Sequence, residues 1–203
     1  MVANLGYKRR EVEQVLGSWP MDRRGFVRVA VAGAALTLVG TARASLARAV
    51  GLQELTARSE HVLLAELLDA ESVWEQIGRR RHIVTYTRVR PLDVLAGTDP
   101  KQSELLVRTL GGTVGELGEL VHGEAILSVG SRNVLFVMPV RGVLAVTAMA
   151  QGHYPLKRDK AGAERLSRSP QASELLGEAG SAVARLPGLQ LSEARALLEP
   201  VRK

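Results

Sequence analysis

Ile83-Val84-Thr85-Tyr86-Thr87 decides the fold class. Its β-branched residues and single aromatic suit a pleated, half-buried surface and lose rotamer freedom in a helix. The segment reads as a strand that continues toward Val89. Pro91 interrupts it; proline cannot donate to a ladder, so it belongs at an edge or a bulge. Working outward, Glu104 to Leu110 reads as a second strand and Asn133 to Met138 as a fully apolar third. Pro139 to Gly142 makes a turn, and Val143 to Met149 returns as the hairpin partner. The stretch from His61 to Trp74 is ambiguous. Leu64, Leu67 and Leu68 suit a helix, which propensity favours, whereas Val62, Leu64, Val73 and Trp74 suit a strand. Five strand-like segments with short connections describe a mainly β chain, a small antiparallel barrel or half-open sheet.

Short helices flank these strands. Leu52 to Arg58 places Leu52 and Leu55 on one helical face. Beyond Leu156 the texture changes: Arg158 to Pro170 is polar, and Ser173 to Arg185 is a weak helix rich in Ala, Gly, Ser and Glu. Ser192 is a good N-cap for a final helix from Glu193 to Glu199. Residues 45–157 are thus read as the β-barrel domain, and residues 158–203 as a polar linker and helical tail packed on it.

The first 44 residues read differently. Arg23-Arg24-Gly25-Phe26-Val27-Arg28 is a charged patch, Val29 to Gly40 is an uncharged run of small and aliphatic residues, and Ala42-Arg43-Ala44 is an A-x-A site ahead of Ser45. This is the layout of an export signal. A helix over the apolar run would be about 18 Å long, and a bilayer core needs about 20 residues, so no stable membrane span is expected after cleavage. The Arg23-Arg24 pair, Phe26 and the modest hydrophobicity resemble a twin-arginine signal, with Asp22 where Ser or Thr is more usual. Met21 can serve as the true start; otherwise the leader has a long n-region. The expected partners are the twin-arginine export machinery and a signal peptidase, and the expected location is periplasmic or secreted.

Composition narrows the function. The chain has 203 residues, 46% hydrophobic and 24% charged, which fits one globular domain rather than a disordered or polytopic membrane chain. It has no cysteine, so disulfides, thiolate metal sites and cysteine nucleophiles are excluded. The formal charge is +6, but Lys8, Arg9, Arg10, Arg23, Arg24, Arg28 and Arg43 face only Glu11, Glu13 and Asp22 in the leader. The remainder is nearly balanced, and aromatics make up only 3%. A single-strand surface needs aromatics interleaved with basic residues. Arg79-Arg80-Arg81 therefore reads as a solvated loop, and no nucleic-acid partner is expected.

Three motifs carry a resemblance: Leu105-Leu106-Val107-Arg108-Thr109-Leu110-Gly111-Gly112-Thr113-Val114-Gly115; Val121-His122-Gly123-Glu124-Ala125 followed by Val129-Gly130 and Val134-Leu135-Phe136; and Ala148-Met149-Ala150-Gln151-Gly152-His153-Tyr154-Pro155. With Leu52-Gln53-Glu54-Leu55 and Ile83-Val84-Thr85, they resemble an uncharacterised family of exported bacterial proteins. Ser131-Arg132 departs from that family's Gly-Glu before the apolar strand. The chain is more loosely similar to netrin-like modules, which include tissue inhibitors of metalloproteinases. That likeness implies a five-stranded, OB-like barrel with His61 to Ser72 as its first strand. Those inhibitors use an N-terminal cysteine that this chain lacks, so their zinc chemistry does not carry over.

The candidate chemistry is sparse. Gly111-Gly112-Thr113-Val114-Gly115 has no helix or lysine behind it to make a phosphate cradle, so its glycines suit a bulge or tight turn. His61, His82, His122 and His153 show no metal-ligand spacing, and no G-x-S-x-G elbow is present. His122 and Glu124 alternate and would share one face of a strand. His153-Tyr154 follows a hairpin at a potential barrel mouth, with Tyr154 also suited to closing the core. The candidate binding residues are accordingly His122, Glu124, Gln151, His153 and Tyr154, with no catalytic residue, metal or cofactor assigned. The expected function is an exported, non-catalytic binding or accessory module for an unknown protein or envelope ligand. Two alternatives stand beside it. One is a metal-dependent or hydrolytic accessory enzyme using His122, Glu124 and His153; the other is an inhibitor or chaperone of a co-exported hydrolase.

Overall fold

A computed structural model describes residues 47–172 and 175–199. The leader features, including Met21, Arg23, Arg24, Phe26, Ala42, Ala44 and the Ser45 start, lie outside the described residues.

Two long strands, β2 (His61–Ile77) and β3 (Arg80–Gly97), form a hairpin that organises a mainly β fold. The helix-prone Leu63-Leu64-Ala65-Glu66-Leu67-Leu68 is strand because it lies between two cores. Val62 and Leu64 enter one apolar cluster, and Leu63, Ala65 and Leu67 enter the other. Alternation on a strand serves both clusters at once, whereas a helix would present one apolar stripe. Pro91 does not end β3. It pairs with Ala65, while Asp93 pairs with Leu64, so Leu92 is the extra residue of a bulge and the strand continues to Gly97.

β4 (Leu105–Leu110) adds to β3, and β7 (Arg132–Val140) adds to β2 through His61↔Val137 to Glu66↔Arg132. β8 (Val143–Val146) pairs antiparallel with β7 and parallel with β4, at Val107↔Leu144 and Arg108↔Ala145. The pairings therefore run β2–β3–β4–β8–β7 and return to β2. One pairing departs from the antiparallel pattern: β4–β8 is parallel, because the chain reaches β8 from β7 instead of directly from β4. The main sheet also holds seven strands rather than five. β9 (His153–Arg158) pairs with the start of β7, and β10 (Glu164–Leu166) extends the sheet beyond it. The hairpin partner is shorter than expected: after Val146 the backbone turns through left-handed Ala148 and Met149 into a 3-10 turn, Met149–Gly152. A Cβ on Gly152 would stand 2.3 Å from the Thr147 carbonyl oxygen, so only glycine closes this turn.

Leu63, Leu67, Val89, Leu105, Val107, Leu135, Val137 and Val146 form one cluster with Ala125 and Leu127 from the irregular segment ahead of β7. The second cluster joins Phe136 and Tyr154 to helical residues. It takes Leu52 and Leu55 from α1 (Leu52–Ala57), Ala182 from α2 (Ala182–Arg185), and Ala194 and Leu198 from α3 (Leu191–Leu198). Helix α3 starts earlier than its Ser192 signal. Gln190 and Glu193 form a reciprocal capping box that satisfies two otherwise unpaired amides. The expected helix from Ser173 shrinks to α2, preceded by β11 (Leu175–Leu176), which pairs in parallel with β1 (Ala47–Arg48). Among the described residues no helix is long and apolar enough to cross a membrane.

Candidate functional site

The glycine run after β4 makes a small hairpin, β5 (Gly112–Val114) with β6 (Leu117–Glu119). Gly111 and Gly112 both have positive φ, at 89° and 132°. A Cβ on Gly112 would stand 2.3 Å from Thr85 Oγ1 and 2.4 Å from Ser72 Oγ, so this position must be bare for β5 to lie on the β2–β3 hairpin. Those hydroxyls are themselves engaged. Thr85 donates to the Gly111 carbonyl at 2.7 Å and lies 2.9 Å from Ser72 Oγ. Glu119 pins the hairpin from the other strand. Its carboxylate lies 2.7 Å from His82 Nδ1 and accepts the Ile83 amide at 2.6 Å, and these bonds, led by His82, hold it below its ordinary pKa.

A cleft of about 390 Å³ lies between this hairpin, the segment 120–127 and the Thr85↔Thr109 rung of β3 and β4. Small-ligand sites span about 300–1,000 Å³. Thr85 and Thr109 project from the same strand faces as Val89 and Val107, which enter the interior cluster. Two rungs further, on the same face, Thr87 Oγ1 is fully buried without a hydrogen-bond partner. Above the cleft, Leu120 and Ile126 are 62% and 52% exposed, and Leu117 on the adjoining hairpin is 62% exposed. Glu124 lines the same cleft and is only 8% exposed. Burial pushes its carboxyl above the ordinary value, against the Ala125 and Leu110 amides and the charge of Arg108. That guanidinium is already committed. Its Nε and Nη2 donate to the two Glu75 oxygens at 3.0 and 3.1 Å, and Tyr86 donates to Glu75 at 2.9 Å.

The five sequence candidates do not form one site. His122 and Glu124 are not strand neighbours; their segment has no regular structure, and His122 is exposed while Glu124 is buried. Gln151 ties down the start of the described chain. It accepts the Val50 amide at 2.8 Å and donates to the Arg48 carbonyl at 3.1 Å. His153 is buried between Asn133 Oδ1, 2.9 Å from Nε2, and Ser169 Oγ, 3.0 Å from Nδ1. Desolvation lowers its pKa to about 4. Tyr154 closes the core edge-on against Phe136, with ring centroids 5.9 Å apart. Its hydroxyl is buried without a partner, and burial raises its pKa. Among the described residues, no three His, Asp or Glu side chains converge as a metal-ligand set.

Of the candidates, only Glu124 lines the cleft. Leu120, Ile126 and Thr109 do so without having been singled out, and the Arg108–Glu75–Tyr86 cluster was likewise unmarked. Arg108 and Thr109 did lie inside the glycine motif, which was the available signal. Comparison of the chain with family models, curated proteins and solved structures finds no match.

Proposed function

We propose that this protein is an exported, non-catalytic binding module, periplasmic or secreted, that holds its partner at the cleft between the β5–β6 hairpin and residues 120–127. The single observation that carries the reading is the juxtaposition of the exposed Leu120 and Ile126 with a buried Glu124 in one cleft of small-ligand size. Exposed apolar side chains gathered around a concavity favour association, because covering them releases water from apolar surface. The proposed scaffold is a five-stranded OB-type barrel extended by β9 and β10. The cyclic order of pairings supports it, since closure leaves no unpaired edge between β4 and β7. The export proposal rests on the Arg23-Arg24 patch, the apolar run and the Ala42-Arg43-Ala44 site.

The test is site-specific photo-crosslinking in the producing cell. A crosslinking residue in place of Ile126 should capture a discrete partner from the envelope, and one in place of Leu92, exposed at the β3 bulge, should not. Equal capture at both positions would remove the cleft from the proposal. The released protein should have a mass beginning at Ser45, and replacing Arg23 and Arg24 by Lys should retain the protein in the cytoplasm. A cytoplasmic protein with an intact leader would end the export proposal.

A further inference from the structure

Resting on the reading of the cleft as a binding site, we propose that it takes a ligand with a cationic nitrogen, an alkylammonium or guanidinium group, on an apolar body. Glu124 supplies the charge. The residue is 8% exposed, lines the cleft, and accepts a hydrogen bond from the Ala125 amide at 3.2 Å. An ionised carboxylate in such a place is costly unless a cation offsets it. No ion pair among the described residues includes Glu124. Arg108, whose charge reaches it, gives its guanidinium to Glu75.

The surroundings favour a cation over the other ligand classes. An anion would meet the Glu124 carboxylate, and Glu119 adds a second acidic residue to the lining. A neutral ligand would strip water from Glu124 and return no charge. A cationic nitrogen donates hydrogen bonds to the carboxylate in a low-dielectric setting, where charge-assisted bonds are strongest. Its carbon chain would extend toward Leu120 and Ile126, which stand exposed at the rim. Thr109 lines the same cleft, and a threonine hydroxyl can accept from a second N–H.

The experiment is an amide-shift titration of the full chain with n-hexylammonium and, separately, 1-hexanol, at about pH 8, where an alkylammonium keeps its proton. Both probes should shift the amides of Leu110, Gly112 and Ala125. The ammonium should bind at least about tenfold more tightly, as a charge-assisted hydrogen bond implies. Glu124→Gln should abolish that preference and leave hexanol binding unchanged. Equal affinities in the wild-type protein, or a preference that survives Glu124→Gln, would overturn the cationic assignment while the cleft remained a binding site. If neither probe shifts these amides, the cationic assignment and the cleft reading both fall. The comparison of probes on the wild-type chain stands even if the variant folds poorly.

Discussion

Acidification should strike this protein at His153. The imidazole is 2% exposed and sits between Asn133 and Ser169, with no carboxylate to stabilise its charged form. Its pKa falls from 6.5 to about 4 on folding because burial disfavours the imidazolium. The unfolded chain therefore takes up a proton at a higher pH than the folded one. Stability is fully present above pH 6.5 and is lost as pH falls toward 4. The whole window is worth about 3 kcal/mol, with a steepest slope of about 1.4 kcal/mol per pH unit. Glu124 acts in the opposite sense: its raised pKa makes protonation favour the fold as pH falls. The paired carboxylates of Glu75 and Glu119 have lowered pKa values, so their contributions fade only at more acid pH. Urea unfolding from pH 8 to pH 4, for wild type and His153→Gln, separates these effects. The variant should be less stable at pH 8 but show a flatter dependence below pH 6.5. An imidazole that titrates near 6.5 in the folded state, or the same slope in both proteins, would refute the buried neutral role.

Further outcomes follow from single contacts. Gly112→Ala should lower stability by about 2–5 kcal/mol, since it combines an unfavourable φ with a clash against Thr85 and Ser72; an urea midpoint within experimental error of wild type would contradict this. Gln151→Ala should cost about 1–3 kcal/mol and speed hydrogen exchange at the Val50 amide, which loses its acceptor. Tyr154→Phe should be neutral or stabilising by about 1 kcal/mol, because the hydroxyl it removes is buried without a partner; a marked loss of thermal stability would point to an unseen hydrogen bond.

The strands were legible where local chemistry and tertiary position agreed. Ile83 to Thr87 is β-branched and lies centrally in the sheet, between β2 and β4. Leu63 to Leu68 was not legible from propensity, because what decides it is two apolar clusters on opposite faces, a property of distant residues. The looser likeness implied a strand from His61 to Ser72, and β2 runs His61–Ile77. The parallel β4–β8 pairing left no local trace, since a two-rung ladder imposes no periodicity of its own. The site was the least legible part. Residues 120–131 follow no helix or strand period, so alternation misassigned His122 and Glu124 to one face. His153 was read at a barrel mouth after a hairpin and Gln151 within the closing Ala-Gln-Gly motif, yet both are spent on internal hydrogen bonds. Leu120 and Ile126 belong to no periodic segment that would assign them a face, and both stand exposed.

Once the crosslinked partner is identified, hydrogen exchange with and without it tests the binding cleft most directly. Slowed exchange confined to the amides of 110–114 and 120–127, with β9, β10 and the helical tail unchanged, is the expected footprint. Protection centred on another face, or none in those two segments under saturating partner, would contradict the cleft as the place where this protein acts.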